Sequence, residues 1–401
     1  MPTDPKSTRL LQTITVGAAI ALLGCAQTGD PMGAMDDTAD AADAGSDDAE
    51  SDGASADDDG GGDTGGDTGD ADDWWEPAGD DGSEDDGFED DGFEDDGSED
   101  GGSEDDGSDD GPVVEGATTE MLAVDTGEVI LDVRVTTMDG DMPEHTLVLL
   151  HGGPGQSDES MHPLEASVMP GWRVVSFDQR GCGDSTSVNN GVELTDLADD
   201  VEALRAHFGV DTLHLFGHGF GGLVAWLYLD AHPDSVASVA MFAALAPTFA
   251  SASQAHEVHS ARIVELQGAG LIPDPLPPGE NGDCSARLHA SFPAYANDPE
   301  AETPAAFIAT TCSVSTQGLN SLMMEFPTEY DLTAATHAFE GPVVIWAGEN
   351  DPVGLILADA TLPDLPNAQL QHTVIPDAAH FPWLEGYDMA ADLQTWMVSV
   401  Q

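Results

Sequence analysis

The sequence predicts an α/β fold: a mostly parallel, eight-stranded sheet with helices on both faces and a helical lid inserted between the sixth and seventh strands. Short runs of Val, Leu and Ile alternate with longer segments of helical periodicity, which is typical of a parallel sheet covered on both sides. Glycine-rich or charged loops follow several of these runs, as expected where a site forms at the carboxyl ends of strands. The alternation stops between residues 246 and 340, which are rich in Ala and Pro and form the predicted lid.

The individual elements follow from local periodicity. The first long helix is predicted because Leu194, Leu197, Val201, Leu204 and Phe208 fall on one helical face. Each strand is a short apolar run bounded by polar or turn-forming residues. The candidate strands are Glu120–Val124, Val129–Thr136, Thr146–Leu150, Arg173–Phe177, Leu213–Phe216, Val236–Phe242, Val343–Trp346 and Leu370–Ile375, and the other candidate helices are Gly221–Ala231, Ala255–Leu266 and Met389–Val398.

Residues 1–24 are predicted to be a signal peptide. Two basic residues precede the apolar stretch Leu10–Leu23, whose 14 residues suit a signal peptide better than a membrane span. The stretch ends in Leu-Leu-Gly-Cys, which resembles a bacterial lipobox, so Cys25 is expected to carry a lipid anchor. Ala26 follows in place of the Asp that retains lipoproteins in the inner membrane, which favours the outer membrane or cell surface. The alternative is an ordinary secreted protein in which Cys25 has no role.

Residues 25–111 are predicted to be a disordered acidic linker. The part from 30 to 110 holds 36 carboxylates and no Lys or Arg, and from Asp80 onward it repeats units such as DDGSE and DDGFE every five residues. A period of five matches neither helix nor strand, and so little apolar surface cannot offset the entropy of ordering. A weak Ca²⁺ sink is the alternative, but the repeat lacks the D-x-D-x-D-G spacing of a calcium-binding loop.

Residues 112–401 are predicted to form the folded domain, and their charge limits the possible partners. Residues 111–401 contain 41 acidic residues and six arginines, within a chain whose formal net charge is −70. Such a surface repels polyanions, which excludes nucleic acid and unaided binding to an anionic membrane. It favours cationic or amino-terminal ligands. The sequence determines no oligomeric state.

The loops after the predicted strands carry the motifs. The third strand leads into HGGPG (residues 151–155), the fourth into DQRGCGDS (178–185) and the fifth into GHGFGG (217–222). Asp351 follows the seventh strand, and His380 follows the eighth and precedes FPWLE. No HExxH motif or Cys/His cluster indicates a metal, so neither a metal nor a cofactor is expected.

Together these motifs resemble the α/β-hydrolase fold, and within it the proline-iminopeptidase-like serine peptidases and hydrolases. HGGPG and DQRG-x-G-x-S are the distinguishing pair, and the resemblance covers about residues 115–401, most weakly in the lid. It implies that Asp351 and His380 are the acid and base of a catalytic triad, and that the amides of Gly153 and Phe220 form an oxyanion hole. A small-molecule or peptide ligand would enter under the lid. Without the resemblance, Asp351 and His380 could each be ordinary loop residues.

The sequence departs from this family at the nucleophile. The family pattern is G-x-S-x-G on a sharp turn between strand and helix, but here Gly219 stands in the position of the Ser. A glycine has no oxygen to attack a carbonyl, so no acyl-enzyme can form there. Ser185 and Cys182 are poor substitutes, because both belong to a loop that is structural in the family. His218 is expected to pack beside the turn.

Two further predictions concern the lid and the activity. An exported chain can oxidise its thiols, so Cys284 and Cys312 are predicted to form a disulfide, the alternative being two reduced thiols. The domain is predicted to be either a pseudoenzyme that binds a ligand, which the missing hydroxyl favours, or a peptidase or ester hydrolase that uses water or another nucleophile.

Overall fold

The structure is a computed structural model that describes residues 114–186, 192–279, 282–313 and 330–401. The predicted signal peptide, Cys25 and the acidic linker lie outside these residues. Within them, no helix is long and apolar enough to cross a membrane.

Eight strands form one sheet in the order β1-β2-β4-β3-β5-β6-β7-β8. The first two strands pair antiparallel, β2 also pairs antiparallel with β4, and all other neighbours are parallel. All eight predicted strands are confirmed, with ends within three residues of the prediction. The strands are β1 Ala117–Asp125, β2 Ile130–Met138, β3 His145–Leu150, β4 Trp172–Phe177, β5 Leu213–His218, β6 Val236–Phe242, β7 Pro342–Gly348 and β8 Gln369–Ile375.

Burial along the strands follows their place in the sheet. Every residue of β5 is buried, as is all of β3 and β7 after the first residue, because helices cover both faces of these central strands. The strands at the two edges, β1 and β8, are mostly exposed. The hydrophobic core therefore lies on both faces of the central parallel strands, directly below the loops that carry the motifs.

Helices pack on the sheet and in the segment between β6 and β7. The predicted face of the first helix is confirmed, since Leu197, Val201 and Leu204 are buried. Asp200 of the same face accepts two hydrogen bonds of 2.8 Å from Arg180, which fixes the helix against the DQRG loop. The helices are α1 Leu194–Phe208, α2 Phe220–Ala231, α3 Phe249–Ala269, α4 Ser285–Ser291, α5 Ala305–Ala309, α6 Thr333–Ala338, α7 Pro352–Thr361 and α8 Met389–Ser399.

Residues 246–340, here called the insertion, contribute α3 to α6 and no strand of the sheet among their described residues. A disulfide joins Cys284, just before α4, to Cys312, just after α5. The backbone amide of Cys284 also donates to the carbonyl of Cys312 at 2.9 Å. These two links hold the middle of the insertion together, at the pair of cysteines that the sequence predicts to be oxidised.

Candidate active site

Asp351 and His380 meet at the carboxyl end of the sheet. Asp351 caps the N-terminus of α7 after β7, and its Oδ1 accepts a hydrogen bond of 3.1 Å from the amide of Val353. Its Oδ2 accepts from Nδ1 of His380 at 2.7 Å. The two residues are 4% and 9% exposed. The hydrogen bond places the proton on Nδ1, which leaves Nε2 of His380 as the basic nitrogen.

Asp351 is held in its ionised form. Burial alone would raise its pKa, but the charge and hydrogen bond of His380, together with the amide of Gly354, outweigh burial and lower the pKa below its usual value. A buried carboxylate in this form orients the imidazole and stabilises its protonated state. This arrangement is the one expected of a general base and its orienting acid.

Gly219 forms the sharp turn between β5 and α2. Its backbone angles are φ +53° and ψ −118°, a left-handed conformation that favours glycine. The surrounding glycines are needed for close approach, since a Cβ on Gly221 would lie 1.9 Å from the carbonyl oxygen of Leu150. A Cβ on Gly219 itself would meet only the Cα of Gly152, at 3.6 Å, which is ordinary contact. The turn thus keeps the shape and the space for a nucleophile and lacks the side chain.

A cavity of about 40 Å³ joins Gly219 to the other predicted site residues. Gly153, Phe220 and His380 line it as well, so both predicted oxyanion-hole residues and the predicted base face one space. About 10–15 Å³ suffices to hold one water molecule, so the cavity has room for water next to His380. Asp351 lies behind His380 and does not line the cavity.

The loop that carries Gly153 is ordered by His151. Nδ1 of His151 donates to the carbonyl of Gly152 at 2.7 Å, and Nε2 accepts from the amide of Gln179 at 3.0 Å. The side-chain amide of Gln179 donates back to the carbonyl of His151 at 2.9 Å. Burial lowers the pKa of His151, which keeps the ring neutral and suited to this pattern. Two of these hydrogen bonds join the HGGPG and DQRG loops, and the third lies within the HGGPG loop.

The structure gives Ser185, Cys182 and His218 packing roles. The hydroxyl of Ser185 donates to the carbonyl of Asp178 at 2.6 Å and accepts from the amide of Asp132 at 2.9 Å. Cys182 is buried, and burial raises the pKa of its thiol, which makes it a poor nucleophile. His218 packs on the ring of Phe381 at 4.6 Å. Ser185 and Cys182 do not line the cavity, whereas His218 lines it, with its Nε2 3.1 Å from the carbonyl oxygen of His380.

Sequence reasoning did not find two residues of the insertion: Tyr295, which lies against His380, and His259, which lies against Tyr295. The ring of Tyr295 is 5.2 Å from the ring of His380, and its carbonyl accepts the amide of His380 at 3.1 Å. The ring of His259, on α3, is 4.6 Å from that of Tyr295. No motif marks either residue, because their proximity depends on how the insertion folds back over the sheet. Among the described residues, no three His, Cys, Asp or Glu side chains form a metal-binding group.

Comparison with known proteins agrees with this geometry. A family profile for the alpha/beta hydrolase fold matches residues 145–387. The chain belongs to the α/β-hydrolase family. The predicted resemblance to proline iminopeptidases is confirmed, since the enzyme of that name from Levilactobacillus brevis is 28% identical over 279 residues, which cover 65% of this chain and 91% of that protein.

Two other α/β-hydrolases extend the comparison. A proline iminopeptidase from Lactobacillus delbrueckii subsp. bulgaricus is 26% identical over 272 residues, covering 63% of this chain and 90% of that protein. The crystal structure of proline iminopeptidase from Mycobacterium smegmatis aligns with a TM-score of 0.55 at 20% identity, covering 70% of this chain and 98% of that one. At this identity the structural likeness shows the fold alone.

Proposed function

We propose that this α/β-hydrolase binds a small peptide, amide or ester beneath its insertion and acts as a pseudoenzyme. One observation carries the proposal: Gly219 has the backbone of a nucleophile turn, beside an ordered His380–Asp351 pair, and has no side chain. A fold can keep its binding pocket after its chemistry is lost, because the reaction depends on particular atoms of the site.

The expected loss of rate is large. Removing the nucleophilic Ser from a serine hydrolase costs about 10⁶ in kcat, and the rest of the site still accelerates hydrolysis by roughly 10³–10⁴ over water. In this chain the retained parts are the base, its acid and the two predicted oxyanion-hole residues, Gly153 and Phe220. The pocket is therefore able to bind and polarise a carbonyl group without forming a covalent intermediate.

A slow, water-dependent hydrolase is the second candidate, and the cavity beside Gly219 favours it. The cavity has room for water, and Nε2 of His380 is the basic nitrogen of the pair. In this reaction His380 takes a proton from the water, the oxygen attacks the carbonyl, and His380 then returns the proton to the leaving amine or alcohol. No acyl-enzyme forms on this route.

The relatives suggest which ligands to test first. The similar proteins carry the name proline iminopeptidase, so peptides and anilides with an amino-terminal proline are the first ligands to try. The acidic surface supports a ligand with a free amino group, since 41 acidic residues against six arginines attract cations. Ligand binding that does not weaken with added salt would argue against this electrostatic contribution.

We also propose that the chain is a lipoprotein of the bacterial envelope, held by Cys25 in the outer membrane or at the cell surface. The acidic residues that follow would then act as a spacer, because like charges repel and extend a chain. Labelling with radioactive palmitate tests the anchor. We expect label in the native protein and none in Cys25→Ser, and equal labelling of both would exclude lipidation at this residue.

Three forms of the full-length chain separate the two candidate activities. The substrates are prolyl 4-nitroanilide and short 4-nitrophenyl esters, tested on the native chain, His380→Ala and Gly219→Ser. A pseudoenzyme shows no native turnover above His380→Ala, and Gly219→Ser gains at least about a hundredfold because its hydroxyl lies next to the base. Native turnover that His380→Ala abolishes supports the water-dependent hydrolase. Activity in none of the three forms refutes an intact pocket.

A further inference from the structure

A second cavity, of about 310 Å³, lies within the insertion. One wall of the cavity is a face of α3. His259, Ile263 and Gln267 all line the cavity, and their spacing of four positions places them on the same side of this helix. The other wall includes Arg287 and Ser291, which are also four apart, on α4. The volume lies within the range of about 300–1,000 Å³ that is typical of ligand pockets.

Tyr295 stands between this insertion cavity and the cavity beside Gly219, because it lines both. Its ring lies 4.6 Å from the ring of His259 on one side and 5.2 Å from the ring of His380 on the other. Tyr295 is therefore the wall that the two cavities share, and a ligand that occupies both has to pass it.

Arg287 is unusual among the arginines of the domain. It is partly buried in the wall of the insertion cavity, and it makes no ion pair with any residue that the structure describes. A guanidinium group carries five donors, and partly buried donors are stabilised by an acceptor. The other arginines have partners: Arg134 pairs with Glu165, Arg180 with Asp200, Arg205 with Glu202 and Arg262 with Glu265, while Arg173 lies over the ring of Phe208.

The other ionisable groups of the insertion cavity do not supply that acceptor. Asp274 is exposed and forms no ion pair with Arg287. His259 is uncharged near neutral pH, because burial and the charge of His380 lower its pKa to about 3. Arg287 is thus the one permanent cation among the described residues that line the cavity, in a domain where carboxylates are abundant.

We propose that the insertion cavity is a subsite for the carboxylate of the ligand, and that Arg287 binds this group. The proposal rests on the proposed function, because the remainder of the ligand lies past Tyr295 at Gly219 and His380. A guanidinium matches a carboxylate with two parallel hydrogen bonds, which adds specificity to the charge attraction. The ligand class is then a short peptide with a free carboxyl terminus, in preference to a blocked peptide or a neutral ester.

Calorimetric titration of the full-length chain tests the subsite. The probes are prolyl-glycine and prolyl-glycyl-glycine, each as the free acid and as the carboxyl-terminal amide, which removes only the charge. The variants are Arg287→Gln, Arg287→Lys and Arg262→Gln, the last being a matched control because Arg262 pairs with Glu265 on α3 and does not line the cavity.

The native chain and Arg262→Gln should bind at least one acid about tenfold tighter than its amide, and added salt should reduce this preference. In Arg287→Gln the acid and amide should bind equally, while Arg287→Lys should keep part of the preference. Three results would overturn the subsite. The native chain binds acid and amide equally, the preference for the acid survives in Arg287→Gln, or none of these peptides binds. The proposed function has its own readout, because Gly219→Ser is tested on an anilide without a carboxylate.

Discussion

Replacing Gly219 by Ser should lower the stability of the domain while supplying the missing hydroxyl. A non-glycine residue at φ +53° and ψ −118° is strained by about 1–3 kcal/mol. No steric term adds to this, because the new Cβ would lie 3.6 Å from the Cα of Gly152. Since about 1 kcal/mol moves the melting temperature of a domain of this size by about 2–3 °C, we expect Gly219→Ser to melt roughly 2–9 °C below the native chain.

Differential scanning calorimetry of the full-length chain, with two further variants, isolates the backbone effect. Gly219→Ala carries the same strain and no hydroxyl, so it should melt at or below Gly219→Ser, whose hydroxyl is able to cap α2. Gly268 is the matched control, because it lies exposed in α3 with nothing within 4 Å of an added Cβ. Gly268→Ala should raise the unfolding free energy by about 0.5–1 kcal/mol. Gly219→Ser and Gly219→Ala that melt at or above the native chain would refute the strain argument.

Three further predictions concern stability. Cys284→Ser should lower the unfolding free energy by about 3–4 kcal/mol, because the disulfide to Cys312 closes a loop with a sequence separation of 28. Denaturant unfolding measures this loss, and a midpoint equal to that of the native chain would contradict the prediction. Gly221→Ala should lower the unfolding free energy by about 3 kcal/mol or more, because its Cβ would lie 1.9 Å from the carbonyl oxygen of Leu150. A folded variant with the native melting temperature would show instead that the backbone around Leu150 moves to admit the methyl group. Burial raises the pKa of Asp178 to about 8, so the folded chain holds a proton there that the unfolded chain releases near pH 4. Asp178 should therefore contribute a fall in the unfolding free energy between about pH 4 and pH 8. Denaturant titrations across this range should show that the unfolding free energy of Asp178→Asn falls less, or rises more, with pH than that of the native chain. Equal slopes would exclude a proton held at Asp178.

The strands of the sheet were predictable from the sequence. Apolar runs such as Leu213–Phe216 form buried strands because helices cover both faces of the central sheet, and this burial leaves a continuous hydrophobic pattern in the chain. The resemblance to the α/β-hydrolase fold implied that Asp351 and His380, which follow the last two strands, act as a pair, and the structure joins them by a hydrogen bond of 2.7 Å. In a parallel sheet the carboxyl ends of neighbouring strands share one edge.

The insertion was predictable only as a helical segment. Its sequence shows where the alternation of strand and helix stops, but no periodic pattern states how α3 and α4 pack on each other or on the sheet. The sequence therefore did not indicate that Tyr295 lies against His380, or that His259 lies against Tyr295. The sequence also did not indicate that Arg287 makes no ion pair among the described residues, because the many carboxylates offer every arginine a possible partner.

By itself the sequence determined the fold class, the family and the absence of a hydroxyl at Gly219, since each depends on the order and identity of residues along the chain. The tertiary structure decided how the residues around Gly219 are arranged. It shows that the turn keeps its left-handed backbone, that a Cβ would fit beside Gly152, and that the His380–Asp351 hydrogen bond is formed. It also places Arg287 in a cavity that begins at Tyr295. These facts are distances between residues remote in the chain, which depend on packing in three dimensions.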